Sequence, residues 1–171
     1  DDLETLRRIA DRLRKWPQAR LGLLAASRQP DLLLGAMPYV DGLVIDLDPT
    51  LDLRVIVTLA NGPYPEVALI LQASVDDSRD LRGPVRRLLD AATAWPDANL
   101  VLALQAPERD LIHAYRRLAV ECAQRTVDAP ILLRVQAPDD PLLPASIALG
   151  SLLCDGLGDA VVIDGLADSS G

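Results

Sequence analysis

The sequence contains no phenylalanine and few aromatic residues of any kind, which restricts what its core can be made of. Aromatic residues make up 3% of the 171 residues, whereas apolar residues as a whole make up 50%. The core must therefore be built from Leu, Ile, Val and Ala, a composition typical of parallel strands that are buried on both faces. A chain of this length can bury one such core, so we expect a single domain.

Histidine and cysteine are almost absent, and each shortage excludes a kind of site. His113 is the only histidine, so a multi-histidine metal site is excluded and a catalytic triad would depend on this residue. Cys122 and Cys154 are too far apart for a Cys-x-x-Cys unit and too few for a disulfide framework. The apolar spacing of the surrounding segment places Cys122 on the buried face of a helix and His113 on a different face.

Positive charge and long apolar runs are also lacking. The formal net charge is −8, and Lys15 is the sole lysine. Such a chain lacks the clustered positive charge with which proteins bind nucleic acid nonspecifically. No apolar run reaches the roughly 18 residues that a membrane span needs, and the first residues form an acidic amphipathic segment rather than a secretory signal. We therefore expect a cytoplasmic protein with neither nucleic-acid nor membrane partners.

The sequence does contain repeated units of a strand followed by a helix. Three segments each have an apolar strand, a Gln-Ala pair and an acid-rich helix start, and Gln72, Gln105 and Gln136 recur in them at steps of 33 and 31 residues. A step of about 30 residues is one strand, one helix and two short loops. Residues 7–24 also align with residues 86–103, and each copy has a helix that ends at a Trp-Pro pair before a strand.

These patterns predict a chain in which strands and helices alternate. The strands are predicted near residues 20–26, 41–46, 54–60, 67–73, 99–106, 130–137 and 159–164. The helices are predicted near residues 2–16, 30–37, 76–94, 107–126 and 141–154. We expect a reduced or degenerate TIM-like (βα) barrel of mainly parallel strands over residues 1–165, followed by a flexible tail or linker at 166–171, because a full barrel is usually longer. The alternative is an open doubly wound α/β sheet.

Polar residues at the predicted strand ends form one candidate site. Its members are Asp46, Gln72, Gln105, Gln136 and Asp164. Active sites of βα barrels form at the carboxyl ends of strands, and adjacent helix N-termini can bind anions, so these residues suggest a stand-alone small α/β enzyme or an anion-binding protein. The other interpretation is structural, since the glutamines can bond to neighbouring loops and aspartates such as Asp76 and Asp139 can cap helices.

The segment GSLLCDGLGDAVVIDG, residues 150–165, joins a predicted helix to a predicted strand. Gly156 and Gly158 follow the helix and precede the strand, which is the wrong order for a dinucleotide-binding fingerprint, and a third glycine in register is missing. The order instead indicates a glycine cap at the end of the helix and a short turn into the strand.

The same segment resembles the (E)-4-hydroxy-3-methylbut-2-enyl diphosphate synthases, which are [4Fe-4S] enzymes of the non-mevalonate isoprenoid pathway. Members carry a G-x-L-L-x-D-G-L-G-D helix-to-strand element, and the three-domain form has it near the end of an insert domain. The matching residues are Gly150, Leu152, Leu153, Asp155, Gly156, Leu157, Gly158 and Asp159, with Asp164 in the place of the family's following acid. Upstream, AYRRLAVECAQRTVDAPILLRVQAP resembles the preceding helix and strand, and RVIVTLANGPYPE resembles an earlier strand with its loop.

The resemblance implies that this chain is the insert domain of such an enzyme. In the family, three cysteines and a glutamate of a C-terminal domain hold the cluster, a separate N-terminal barrel binds substrate, and the motifs of neither domain occur here. The chain would carry no catalytic, metal-binding or cofactor-binding residue and no cofactor of its own. Its partners would be the substrate-binding barrel and the cluster domain of the same polypeptide, which it would position, as a spacer, so that they can close within one chain.

Overall fold

The computed structural model describes residues 2–15, 22–52, 54–75, 80–136 and 142–164. The α-helices are α1 (Asp2–Arg14), α2 (Pro30–Ala36), α3 (Arg54–Ala60), α4 (Arg82–Ala94), α5 (Glu108–Arg125) and α6 (Leu142–Cys154). The strands are β1 (Leu24–Ala26), β2 (Gly42–Asp46), β3 (Ala68–Ser74), β4 (Leu100–Gln105), β5 (Ile131–Gln136) and β6 (Ala160–Asp164). The predicted tail at 166–171, the first Trp-Pro pair at 16–17 and the proposed caps Asp76 and Asp139 lie outside the described residues.

The six strands form one parallel sheet in the order β1-β2-β3-β4-β5-β6, and the sheet curls into a half-barrel. Each strand pairs with its neighbour in sequence, so every crossover runs in the same direction. A doubly wound sheet would instead reverse its strand order at a switch point. The prediction of a parallel, degenerate TIM-like α/β fold is thereby confirmed, and within the described residues the sheet is open, with β1 and β6 as its two edges.

The two faces of the sheet bury different amounts of apolar surface. The face toward the helices carries the main core, which includes Leu43 and Ile45 of β2 and Leu102 and Leu104 of β4. The opposite face, which we call the concave face, has a small apolar cluster of its own. That cluster is made by Ile70, Ala103 and Leu132, with Val44, Val101 and Val162 packed against it. Successive residues of a strand point to opposite faces, which explains why these two sets alternate along the chain.

The predicted strand at 54–60 is wrong, because these residues form α3. The run of β-branched residues favours a strand, but Ile56 and Leu59 are both buried at the three-residue spacing of a helix face. The side chain of Asp52 accepts a hydrogen bond of 2.9 Å from the Arg54 N–H and so caps the helix start. The segment RVIVTLANGPYPE therefore also differs from the strand and loop that the family resemblance implies.

Helix α5 contributes one side chain that enters the sheet. The predicted apolar face of this helix is confirmed, since Leu111, Tyr115, Leu118 and Cys122 are all buried, while His113 is exposed. The Tyr115 hydroxyl lies 2.8 Å from the carbonyl oxygens of Leu104 and Leu132, and it accepts hydrogen bonds from the N–H groups of Leu104 and Arg134.

The backbone ladder between β4 and β5 is short because the Tyr115 hydroxyl takes the place of part of it. Register pairing between these strands is limited to Leu102 with Ile131 and Ala103 with Leu132. Beyond these pairs the Tyr115 hydroxyl, rather than the opposite strand, bonds to the backbone groups of Leu104 and Arg134. Tyr115 thus acts as a wedge between β4 and β5 toward their carboxyl ends.

Two glycines shape the turn from α6 to β6. Gly156 has φ +75° and Gly158 has φ +103°, which is a region of backbone conformation that favours glycine. The N–H of Leu157 bonds back to the Leu152 carbonyl oxygen at 2.9 Å, which closes the helix end in the manner of a glycine cap. A Cβ on Gly158 would lie 2.5 Å from Cδ1 of Leu133, so this position has no room for a side chain.

Candidate functional site

A polar cluster lies on the concave face at the carboxyl ends of the strands. We call it the strand-end cluster, and its members are Asp46, Gln72, Gln105, Arg134 and Asp164. The Gln72 amide donates hydrogen bonds to Asp46 Oδ1 at 2.7 Å and to Gln105 Oε1 at 3.2 Å. Its own Oε1 accepts a hydrogen bond from Arg134 Nη1, and Arg134 Nε donates to Asp164 Oδ2 at 2.5 Å. Each of the five strands β2 to β6 therefore contributes one member.

Gln72 is the centre of this cluster and is buried, with 4% of its surface exposed. A buried amide is costly unless its donor and acceptor groups are both bonded. The Gln72 amide meets this requirement with one carboxylate, one amide and one guanidinium as partners. Gln72 is the one buried residue with an amide or charged side chain among the described residues, and the cluster bonds its amide and joins neighbouring strands.

The strand register explains why Gln136 lies outside the cluster. Gln72 pairs with Asp46 and Ala103, but Gln105 pairs with Ser74, so Gln105 sits two residues further along the sheet than Gln72 does. The same shift repeats at β5 and places Gln136 level with Asp164, where it is exposed. The three glutamines are equivalent in sequence but not in space, because barrel strands are tilted and staggered.

Arg134 is the member that sequence reasoning missed. It occupies the position of β5 that Gln136 was expected to fill, and its guanidinium joins Gln72 to Asp164. The available signal was a charged residue in an otherwise apolar strand, in the segment ILLRVQ. Arg134 and Gln136 are two residues apart and so point to the same face, which makes either one a candidate on periodicity alone.

The chemistry of the strand-end cluster is that of a cross-link. It combines two carboxylates, two amides and one guanidinium, and each carboxylate, the only kind of group here that can act as a base or nucleophile, has one oxygen bonded within the cluster. Two of its three charged members, Arg134 and Asp164, are paired with one another. Asp46 has a second, looser ion pair, in which Arg28 Nε lies 3.9 Å from its Oδ2.

The matched residues of the glycine-aspartate element have structural surroundings. Asp155 forms an ion pair of 2.7 Å with Arg116 of α5, and Asp159 Oδ2 accepts a hydrogen bond of 2.8 Å from the Ile131 N–H at the start of β5. Gly156 and Gly158 form the turn between these two aspartates. Gly150 lies inside α6, is exposed and has no atom within 4 Å of an added Cβ.

The two cysteines do not fit an iron-sulfur cluster. Cys122 belongs to the main core, and burial, aided by the neighbouring Glu121 carboxylate, raises the pKa of its thiol. Cys154 is exposed at the end of α6. A [4Fe-4S] cluster needs several convergent ligands, and among the described residues no group of three His, Cys, Asp or Glu side chains is arranged to hold a metal ion.

The fold and the cluster define the class of the protein, an open α/β half-barrel whose strand ends are cross-linked by polar side chains. Comparison with known proteins adds no relative, since no protein-family model and no curated protein matches the chain. In the described part of the chain, no helix is both long enough and apolar enough to cross a membrane.

Proposed function

We propose that this chain is a non-catalytic spacer domain of a larger enzyme, the [4Fe-4S] synthase that its glycine-aspartate element resembles. The carrying observation is that the strand-end cluster bonds to itself. The position where a βα barrel usually has its active site is here occupied by a cross-link between five strands. An anion-binding protein based on these residues would have to release the cluster's cation, the Arg134 guanidinium, from its bonds to Asp164 and Gln72.

A second feature supports the spacer proposal, an uncovered apolar surface along α6 and β6. Leu143, Ile147 and Leu153 of α6 are 66%, 59% and 50% exposed, and Val161 of β6 is also exposed. Exposed apolar residues are ordinary when scattered, and we interpret these four, which lie on two successive elements at the end of the sheet, as part of an interface. We call this surface the α6–β6 edge, and we assign it to contacts with an adjoining domain of the same polypeptide.

In the proposed parent enzyme the chemistry takes place elsewhere. 2-C-methyl-D-erythritol 2,4-cyclodiphosphate would be reduced to (E)-4-hydroxy-3-methylbut-2-enyl diphosphate where a cluster domain closes on a substrate barrel. This chain would set the distance between those two domains and leave them free to close. An interface of ordinary interdomain size permits such motion.

The decisive experiment is to read the gene through both ends of this segment. We expect a substrate-binding barrel to be encoded upstream and a domain with three cluster cysteines downstream. We further expect the purified chain to stay colourless and free of iron after anaerobic reconstitution. A start codon directly before Asp1 with a stop codon directly after Gly171 would overturn the proposal, as would stoichiometric iron with charge-transfer absorption.

A further inference from the structure

A pocket of about 260 Å³ opens beside the strand-end cluster, at the ends of β2 and β3 and the start of α4. It shares only Asp46 with that cluster. Its lining brings together the guanidinium groups of Arg28 and Arg87 and the carboxylates of Asp46, Asp48 and Asp80. A concave site with a few convergent charged groups, at the carboxyl ends of parallel strands, is the common setting of a small-molecule site.

Arg87 is the least satisfied charged side chain of this pocket. It is half-buried, and its Nε is buried with no hydrogen-bond partner among the described residues. A buried donor without a partner is costly, and the cost is larger for a charged group. Arg86, the preceding residue of α4, contrasts with it, because Arg86 is exposed and its Nε lies 3.4 Å from Asp90 Oδ2.

Arg28 places a second guanidinium at the mouth of the pocket. Its side chain is 85% exposed, and its Nε lies 3.9 Å from Asp46 Oδ2, which is too long for a hydrogen bond. A loose, exposed pair of this kind contributes little to stability, so the guanidinium can turn to a ligand at small cost.

The carboxylates of the pocket are fixed by one oxygen each. Asp48 Oδ1 accepts hydrogen bonds from the Thr50 N–H at 2.7 Å and the Thr50 hydroxyl at 2.6 Å, while Asp46 Oδ1 accepts the bond from Gln72. The Oδ2 atom of Asp48 has no hydrogen bond within the described part of the chain. The Thr50 hydroxyl and N–H hold the pKa of Asp48 below its ordinary value, and Arg28 and Arg87 add to this effect, so the carboxylate is ionised at neutral pH.

Asp80 plays a different part from the other two carboxylates. Its Oδ1 accepts a hydrogen bond of 3.0 Å from the Gly83 N–H in the first turn of α4. The partial positive charge of a helix N-terminus offsets a carboxylate in this position. The pocket therefore presents two cations, Arg28 and Arg87, and three carboxylates, and in each carboxylate one oxygen accepts no hydrogen bond from the described residues.

We propose that this pocket binds a small zwitterion with the charge pattern of an α-amino acid. Its carboxylate is held by Arg87 and Arg28, and its ammonium group by Asp46 and Asp48. An anion without an ammonium group would be repelled by the carboxylates of the pocket, and a cation without a carboxylate would leave the Arg87 guanidinium, which has no ion pair among the described residues, without an anionic partner. A ligand that carries one charge of each sign can pair with the guanidinium groups and with the carboxylates that line the pocket.

The test begins with thermal-shift and calorimetric titrations of the chain with each of the twenty standard L-amino acids. At least one is expected to bind at millimolar concentration or below. Arg87→Gln should then weaken its binding by about tenfold or more, the effect of losing a hydrogen bond to a charged group, and Arg86→Gln should leave it unchanged. Arg28→Gln changes a side chain that is mostly exposed, so we expect little effect on folding, and it should weaken binding in the same direction.

Ligand analogues test separately whether the arginines bind the ligand's carboxylate and whether the aspartates bind its ammonium group. For the amino acid that binds best, the amine that lacks its carboxylate and the acid that lacks its ammonium group should each bind at least tenfold more weakly. Asp48→Asn should reduce the penalty for removing the ammonium group, and Arg87→Gln should reduce the penalty for removing the carboxylate. Failure of all twenty amino acids to bind, or equal binding by wild type, Arg87→Gln and Arg28→Gln, would overturn the proposal. These outcomes do not depend on the spacer proposal.

Discussion

At the scale of single residues, Tyr115 of α5 joins two strands of the sheet through its hydroxyl. Its hydroxyl bonds to backbone groups of Leu104, Leu132 and Arg134, which belong to two different strands. Arg134 is thereby held twice, at its N–H by Tyr115 and at its guanidinium by the strand-end cluster. The wedge between β4 and β5 and the polar cluster consequently form one connected structure.

Removing the Tyr115 hydroxyl should therefore destabilise the fold. Tyr115→Phe leaves buried backbone donors and acceptors of β4 and β5 without partners, and we expect it to lower the free energy of unfolding by about 2–4 kcal/mol. Tyr64→Phe is the matched control, since the Tyr64 hydroxyl makes no hydrogen bond within the described residues, and it should change stability by less than about 0.5 kcal/mol. Urea unfolding measures both, and equal effects would contradict the structural role of the hydroxyl.

Tyr115 should also shape the stability of the protein at alkaline pH. Burial raises the pKa of Tyr115 above its ordinary value of 10.0, against the opposing effect of its backbone hydrogen bonds. Near pH 10 the unfolded chain loses this proton while the folded chain keeps it. The contribution is thus complete below pH 10 and declines as the pH rises further. Unfolding free energies measured from pH 9 to 11.5 should fall more steeply for wild type than for Tyr115→Phe, and parallel curves would refute this.

The sequence predicted correctly those residue positions that depend only on neighbouring residues in the chain. Placing Asp46, Gln72 and Asp164 at strand ends required only apolar runs followed by polar residues. Predicting that Arg134, and not Gln136, belongs to the strand-end cluster would have required the register between the strands. That register depends on the curvature of the sheet and not on a local sequence pattern.

At the scale of elements, α3 and α6 show opposite relations between propensity and structure. The β-branched segment of α3 is helical because Ile56 and Leu59 gain burial and Asp52 caps its start. Tertiary contacts therefore overrode the local preference. The end of α6 follows local chemistry instead, since Gly156 and Gly158 adopt the positive φ values for which glycine is suited.

Two glycine substitutions, one in α6 and one after it, should change the free energy of unfolding in opposite directions. Gly150→Ala adds a Cβ to an exposed helix position with no atom within 4 Å, and it should raise the free energy of unfolding by about 0.5–1 kcal/mol. Gly158→Ala forces an alanine to φ +103° and a Cβ against Leu133, and it should lower the same quantity by about 2–4 kcal/mol. Thermal and urea unfolding measure both changes, and the same sign for both would show that the turn is not constrained as described.

At the scale of the whole molecule, the sheet stops before a barrel closes. Alternation of strands and helices along the chain predicted the parallel order, because same-direction crossovers follow from chain chirality. The number of strands was overestimated by one, through the segment that forms α3. Whether a curled sheet closes depends on the number, tilt and stagger of its strands together, and this could not be predicted from the apolar pattern of single segments.

An open edge with exposed apolar residues should make the isolated chain self-associate. We expect sedimentation velocity to show concentration-dependent association of wild type. The double substitution Ile147→Lys with Val161→Lys on the α6–β6 edge should suppress it without loss of folding stability, because both side chains are already exposed. Val57→Lys on α3 alters a comparably exposed apolar residue away from this edge and should leave association intact. A wild-type chain that remains monomeric at all concentrations would argue against the edge as an interface.

The wedge at Tyr115 also divides the sheet mechanically. Strands β1 to β4 form one panel and β5 with β6 another, and backbone bonds between the panels are confined to the amino-terminal part of the seam. A change in the angle between the panels would widen or narrow the concave face without breaking the ladders within either panel. Side chains join the panels where the backbone ladder is missing, through the Tyr115 hydroxyl and the Arg134 guanidinium in the sheet. Between the helices, the ion pairs of Arg125 with Asp90 and of Arg116 with Asp155 tie α5 to α4 and to the end of α6, so the half-barrel has a seam along its own strands that depends on side-chain bonds.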